Sequence, residues 1–167
     1  STRQEDFIEH LFVASTHHTL MIFTEKGRCL WLKVYQIPEG DRTSKGRALQ
    51  NMVQIAPDDK VRVIIDVKNF DDEDYVNNHF ILLCTKNGII NKSRLKDFSR
   101  PRQNGINAIE IREGDQLISA RMTDGNCEIM LAVKSGRAIR FPESKVRATG
   151  RGGIGVAGID VDNTTDE

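Results

Sequence analysis

The sequence Ile81-Leu-Leu-Cys-Thr-Lys-Asn-Gly88-Ile-Ile-Asn-Lys92 is typical of a β-hairpin. Two runs of strand-forming residues flank an Asn-Gly pair, which is the strongest short-range signal for a tight turn because both turn residues must tolerate positive φ. The apolar run is about as long as a strand and falls far short of the roughly 20 residues that a membrane helix needs. The segment therefore predicts two antiparallel strands.

The same pattern occurs twice more in the chain. Residues 20–33 turn at Gly27 and residues 129–140 turn at Gly136, so the three turn glycines are 61 and 48 residues apart. Periods of this length with several short strands are typical of propeller blades, in which each sheet buries its faces against its neighbours. We therefore predict an all-β, propeller-like array of about three four-stranded blades.

The predicted blade units are residues 1–56, 57–111 and 112–161, and residues 162–167 are an acidic end or the start of another blade. Three blades do not close a ring, so the chain is expected to be part of a larger array. An irregular β-sandwich with similar hairpins is the alternative. Open terminal blades would also leave unpaired strand edges, which favour dimerisation or strand exchange.

The charge of the chain is balanced in total but segregated along the sequence. Lys plus Arg and Asp plus Glu each number 24, yet residues 84–105 and 134–151 each carry six basic residues against one acidic residue. Residues 58–74 carry seven acidic against three basic residues. A zero total argues against a nucleic-acid partner, whereas basic clusters argue for one. Three dispersed cysteines and the absence of a signal sequence lead us to expect a reducing cytoplasm.

A basic, glycine-containing loop follows each hairpin, and we call these the first (44–47), second (100–105) and third (147–155) basic loops. DNA carries one negative charge per roughly 1.7 Å of helix axis, and glycine lets the backbone approach phosphates closely. The candidate DNA-contacting residues are Lys33, Lys45, Arg47, Lys92, Arg94, Arg100, Arg102, Arg140, Lys145, Arg147 and Arg151. The candidate phosphate-approach glycines are Gly46, Gly105, Gly152, Gly153 and Gly155. Any one such loop could equally be a solvated turn.

Other motifs give weaker indications of a functional site. Residues 150–155 match GxGxxG, but no buried strand precedes them and no helix start follows, as a dinucleotide site requires. Residues 71–74 lack the spacing of an EF-hand and are expected to form a solvated hairpin tip. His17 and His18 lie beside Ser15 but have no third catalytic partner, and His10 and His79 lack partners at metal-ligand spacing. We therefore predict no catalytic residue, metal or cofactor.

Two longer segments carry a resemblance to a known family. The first segment is Arg28-Cys-Leu-Trp-Leu-Lys33-Val-Tyr-Gln-Ile-Pro-Glu-Gly40. The second is Lys86-Asn-Gly-Ile-Ile-Asn-Lys92, which leads to Phe98-Ser-Arg-Pro-Arg-Gln-Asn-Gly105. These segments resemble successive blades of the C-terminal domain in the A subunit of bacterial DNA gyrase. Glu113-Gly-Asp115-Gln-Leu117 and Gly136-Arg-Ala-Ile-Arg140 match as well, so the resemblance covers nearly the whole chain. The A subunit of topoisomerase IV is the close homologue.

The resemblance implies a β-pinwheel of about six blades with strands exchanged between neighbours. Such a domain binds and bends duplex DNA along a basic outer rim, and thereby supports ATP-dependent negative supercoiling by a type IIA topoisomerase. The domain is non-catalytic, and the DNA-cleaving tyrosine would lie outside this chain. The implied partners are duplex DNA and the remainder of the A subunit, joined with the B subunit in a heterotetramer. No membrane is implied, and the implied location is the nucleoid of a bacterial cytoplasm.

The chain departs from the family pattern at its signature heptapeptide, Gln-Arg-Arg-Gly-Gly-Lys-Gly. The nearest match is Thr149-Gly-Arg-Gly-Gly-Ile-Gly155, which keeps one Arg and three glycines, so we expect the chain to start just after the segment that bears the signature. The competing hypothesis is a propeller-like module whose rim charges bind an acidic protein, and an enzymatic function ranks third.

Overall fold

The computed structural model describes residues 18–36, 53–132, 138–151 and 156–157. Within these residues the chain is built almost entirely of short strands and tight turns. The strands are β1 Thr19–Thr24, β2 Arg28–Lys33, β3 Val61–Val67, β4 Phe80–Thr85, β5 Ile89–Arg94, β6 Ile106–Asn107, β7 Leu117–Thr123, β8 Glu128–Ala132, β9 Ala138–Pro142 and β10 Val156–Ala157. The helical segments are α1 Glu73–Asn78 and the 3-10 turns Val34–Gln36, Leu95–Phe98 and Glu143–Lys145.

The strands form three antiparallel sheets. The first sheet has the order β3-β1-β2-β6, the second has the order β10-β5-β4-β7, and the third consists of β8 and β9. The prediction of an all-β array is confirmed. The sheets do not coincide with continuous stretches of sequence, because β6 joins the first sheet from beyond the second hairpin and β10 joins the second sheet from beyond the third. No helix of the described residues has the length and apolarity needed to cross a membrane.

Glycine forms the tight turn of the first two hairpins, as the sequence predicts. Gly27 and Gly88 have φ values of +87° and +84°. In each turn a buried threonine hydroxyl accepts a hydrogen bond from the first strand residue after the glycine: Thr24 Oγ1 from the Arg28 N–H and Thr85 Oγ1 from the Ile89 N–H, both at 3.1 Å. The repeated sequence thus produces the same local geometry twice.

The acidic turns before β3 and β7 hold these hairpin turns in place. Asp59 Oδ1 accepts a hydrogen bond from the backbone N–H of Lys26, and Asp115 Oδ1 accepts one from that of Asn87, both at 3.0 Å. Each carboxylate also accepts from the backbone N–H of the residue that follows it. These acidic residues therefore recur for a structural reason, at the hairpin end of each sheet.

We expect Gly27→Ala to destabilise the fold more than Gly88→Ala does, although the two glycines share one conformation. An added Cβ costs about 1–2 kcal/mol in the left-handed region at either site. At Gly88 it would meet nothing within 4 Å, whereas at Gly27 it would overlap the Ile109 carbonyl oxygen and lie 2.9 Å from Ile111 Cγ1. Urea unfolding of both variants measures the difference, and equal losses of unfolding free energy would contradict the steric overlap at Gly27.

The core is layered between the sheets. All six residues of β1 are buried, because its alternating side chains enter two different apolar layers. Met21 and Phe23 pack in the layer between the first and second sheets, where the Phe23 and Phe98 rings meet edge to face at 5.9 Å. Leu20 and Ile22 pack on the opposite face of the first sheet. A third layer joins the second sheet to β8 and β9, and its buried members are Leu82, Ile90, Ile129 and Val146.

Residues 71–74 are exposed to solvent, as predicted, but the prediction that they form a hairpin tip is wrong, because the short helix α1 begins there. Asp72 is its N-cap, with a side chain that accepts a hydrogen bond from the backbone N–H of Tyr75 at 3.2 Å. Glu73 and Asp74 occupy the first turn, where negative charge is favourable. Val76, which is 3% exposed, packs into the layer between the first two sheets.

Candidate nucleic-acid interface

The second and third basic loops lead into the outer edge strands of the two four-stranded sheets. The opposite edge strands, β3 and β7, lie against each other: Arg62 Nε donates to the Leu117 carbonyl at 3.1 Å, and the Leu117 N–H donates to the Glu25 carbonyl at 2.8 Å. Strands β6 and β10 therefore lie on the sides of their sheets away from this contact. The second basic loop precedes β6 and the third precedes β10, so both approach the outer edges.

The second basic loop is fixed to the first sheet. The Arg28 guanidinium on β2 donates to the Asn104 carbonyl at 2.6 Å and to Asn107 Oδ1 at 2.9 Å. Gly105 has φ +77°, and an added Cβ would lie 2.8 Å from the Cys29 carbonyl oxygen. This glycine is thus required for packing against β2, which is a different reason from the predicted close approach to a phosphate.

The described part of the third basic loop, residues 147–151, is fixed to the second sheet in a similar way. The Thr149 N–H donates to the Lys92 carbonyl at 2.9 Å, and Asn91 Nδ2 donates to the Gly150 carbonyl at 3.3 Å. Arg151 Nε donates to the Asp97 carbonyl at 3.1 Å. Because Asp97 lies between Arg94 and the second basic loop in sequence, this last bond joins the third basic loop to the segment that leads into the second.

Most of the predicted DNA-contacting residues that the structure describes are exposed: Lys33, Arg94, Arg100, Arg102, Arg140, Lys145, Arg147 and Arg151. Lys33 Nζ lies 5.7 Å from the centre of the Tyr35 ring, and Arg140 Nε lies 3.4 Å from Glu128 Oε2. The exposed Lys96 belongs to the same basic segment and was missing from the predicted set. Lys45, Gly46, Arg47, Gly152, Gly153 and Gly155 lie outside the described residues.

The prediction that Lys92 belongs to an exposed stripe is wrong, because Lys92 is 6% exposed. Its Nζ lies 3.0 Å from Glu143 Oε2 and 4.4 Å from the centre of the Phe80 ring. Lys92 pairs across the sheet with Leu82, which is part of the layer that β8 and β9 cover. The packed third sheet thus removes this ammonium from the solvent.

Glu143 is the partner of Lys92, and it is fully buried. Its Oε1 accepts hydrogen bonds from the backbone N–H groups of Gly125 at 3.1 Å and Cys127 at 3.2 Å, and its Oε2 accepts one from Thr123 Oγ1 at 2.7 Å. Burial alone would raise the pKa of Glu143, but the hydrogen bonds from Thr123 and Lys92 outweigh it and hold the pKa below its usual value. The carboxylate is therefore ionised at pH 7, and it lies 3.0 Å from Lys92 Nζ.

A further polar cluster lies beside this pair. The ligand atoms of Asp124, Cys127 and Glu143 lie within 4.8 Å of one another, as in a cation site. The Glu143 oxygens are already occupied by four donors, and the Cys127 thiol donates to Asp124 Oδ1 at 3.4 Å. The atoms that could bind a cation are thus engaged in hydrogen bonds and an ion pair within the protein. The cluster therefore does not indicate a cation site.

The two histidines in the described residues have structural contacts. His18 Nδ1 lies 2.8 Å from Asp66 Oδ2, and His79 Nδ1 lies 2.7 Å from the Tyr75 carbonyl. Burial raises the pKa of Cys84 to about 11 and that of Cys29 further still, so neither thiol is a ready nucleophile. His10 and His17 lie outside the described residues.

Sequence comparison identifies related proteins. The family described as "DNA gyrase C-terminal domain, beta-propeller" matches residues 18–68, 79–124 and 128–167. The DNA gyrase A subunit of Haemophilus influenzae is 42% identical over 164 residues, which is 98% of this chain and 18% of that protein. The DNA gyrase A subunit of Clostridium acetobutylicum is 41% identical over 158 residues, which is 95% of this chain and again 18% of that protein. The chain thus spans about a fifth of the curated relatives that it matches.

Solved structures share the fold. The C-terminal domain of DNA topoisomerase IV superposes with a TM-score of 0.75 at 28% identity, covering 89% of this chain and 45% of that one. A DNA gyrase A C-terminal domain superposes with a TM-score of 0.69 at 21% identity, covering 90% of this chain and 46% of that one. In both cases the chain matches less than half of the larger domain.

Proposed function

The chain belongs to the family of DNA gyrase C-terminal β-propeller domains, and on this premise we propose that it binds duplex DNA without sequence preference and bends it. The contact surface in this proposal is the outer edge of the sheets, which carries the second and third basic loops. The mechanism is electrostatic capture of phosphates followed by imposed curvature, with no nucleophile contributed by this chain.

One observation carries the proposal, namely that the hydrogen bond from Arg151 to the Asp97 carbonyl joins two basic segments, residues 94–102 and 143–151. The exposed cations of these two segments are Arg94, Lys96, Arg100, Arg102, Lys145, Arg147 and Arg151. The acidic side chains in residues 94–102 and 143–151 are Asp97 and Glu143. Since Lys92 neutralises Glu143 in the interior, Asp97 alone of these two opposes the exposed positive charge.

The geometry also supports bending. Bending 20–30 bp of DNA by 40–90° costs on the order of 1–6 kcal/mol, which several phosphate contacts can offset. Because the loops are already held by the Arg28 and Thr149 hydrogen bonds, DNA binding orders fewer groups and loses less entropy. Within the described residues, the α-helix is a six-residue segment capped by Asp72, and this is too short to read bases in a groove.

The proposed partners of this chain are inferred from the related proteins. Because those relatives are A subunits of DNA gyrase, we infer that this chain acts within such a protein, together with the B subunit, in ATP-dependent negative supercoiling. The nucleophile that cleaves DNA would lie elsewhere in the A subunit. The place of action would be the bacterial nucleoid.

Gel retardation of unrelated duplexes across a salt series tests the proposal. If six to ten phosphates are contacted, affinity falls by about 10³–10⁵ between 50 and 200 mM salt, and equally for every sequence. Binding that is absent or independent of salt would contradict it. Recovery of an acidic protein partner in place of DNA would favour the protein-interaction module.

A further inference from the structure

We propose that the buried Lys92–Glu143 pair is a positioning element that fixes the third sheet against the second, and so aligns the second and third basic loops for DNA bending. The inference rests on the proposed function and adds to it a residue pair that lies behind the DNA-contacting surface. It follows from the repeat, from the donors around Glu143 and from the attachment of the third basic loop.

Glu143 occupies a position that is apolar in the other two repeats. Val34, Leu95 and Glu143 each begin a 3-10 turn. Each donates its backbone N–H to the residue just before the first strand of its own hairpin, at 3.0, 2.9 and 2.8 Å. All three side chains are buried. Because a buried ion pair is often no more stable than apolar residues of the same volume, this carboxylate needs an explanation other than stability.

The carboxylate connects several parts of the two sheets. Its four donors come from β5 through Lys92, from β7 through Thr123, and from the β7–β8 connection through Gly125 and Cys127. The β7–β8 connection is where the chain passes from the second sheet to the third. An apolar side chain at this position could fill the space but could not bond these groups, so the carboxylate defines how the third sheet is oriented.

The same pair is linked to the third basic loop. Lys92 holds Glu143 with its side chain, while its carbonyl accepts the Thr149 N–H at 2.9 Å. The Glu143 carbonyl accepts the Val146 N–H at 2.9 Å, at the start of that loop. Arg147 therefore lies between two backbone anchors that both lead to the buried pair. A change in the pair would shift Arg147 relative to the second basic loop without removing any surface charge.

Fluorescence energy transfer between the ends of a labelled duplex measures bending, and retardation of the same duplex measures affinity. In the unmodified chain, bending changes the energy transfer between the duplex ends, and we expect Glu143→Gln to reduce this change at least about twofold. The Kd for the duplex should stay within about threefold of that of the unmodified chain, because the surface cations remain. The matched control is Glu25→Gln, which breaks the 3.0 Å ion pair with Arg62 at the hairpin end of the first sheet. This control should bend DNA as the unmodified chain does.

A double variant, Lys92→Leu with Glu143→Val, separates positioning from stability. It removes the buried ammonium together with its counter-charge and places apolar residues at both sites, so its unfolding midpoint should recover relative to Glu143→Ala. Bending that stays reduced in this stable variant supports positioning, whereas bending equal to that of the unmodified chain overturns it. If the unmodified chain does not bind duplex DNA, the proposed function itself fails, which is a distinct result.

Discussion

Replacing both Arg102 and Arg147 with glutamate is expected to lower the affinity for duplex DNA by about a thousandfold at 100 mM salt. Arg102 is exposed on the second basic loop and Arg147 on the third, and reversing both changes the charge of the proposed surface by four units. Losing two phosphate contacts should reduce the slope of log K against log salt by about two. Because phosphates carry no base information, the loss should be equal on unrelated sequences.

The matched control is the double variant Lys86→Glu with Arg121→Glu, which changes net charge by the same amount. Lys86 lies at the hairpin end of the second sheet, and Arg121 lies on β7, the edge strand opposite β10. Affinity should fall less than about tenfold, since only the long-range field is altered. An equal loss in both double variants would mean that binding is not confined to the outer edge.

Glu143→Ala is expected to lower the free energy of unfolding by about 3–5 kcal/mol, because it leaves the Lys92 ammonium buried without a counter-charge. It also leaves the Thr123 hydroxyl and the Gly125 and Cys127 N–H groups without their acceptor. Urea unfolding at pH 7 measures the loss. Glu113→Ala, which removes an exposed glutamate, should change stability by less than about 0.5 kcal/mol.

The same experiment has a pH dependence of known sign. The folded protein holds the pKa of Glu143 below 4.5, the ordinary value for a glutamate. The stability that the ionised carboxylate contributes is therefore fully present above about pH 4.5 and is lost as the pH falls through the folded-state pKa. The difference between the unmodified chain and the alanine variant should narrow in that acidic range. A constant difference, or one below about 1 kcal/mol at pH 7, would contradict the buried ion pair.

Local sequence determined the fold class and the position of the basic loops. The Asn87-Gly88 turn depends on backbone conformations that few residues tolerate, and the alternation of β1 depends on the two-residue period of a strand. The repeat then placed the second and third basic loops after their hairpins. The sequence analysis does not predict helix α1, because the charged residues 71–74 are also typical of a solvated hairpin tip, although Asp72 followed by two acidic residues is a helix-start pattern.

Tertiary structure alone decided which cations are exposed to solvent. Lys92 and Arg94 lie two residues apart on β5 and face the same side of a strand, yet one is buried and the other exposed. Their difference arises because the third sheet covers the middle of β5, and Glu143, some fifty residues later in the chain, supplies the counter-charge. Burial depends on packing between distant segments, and neither residue type nor local period carries that information.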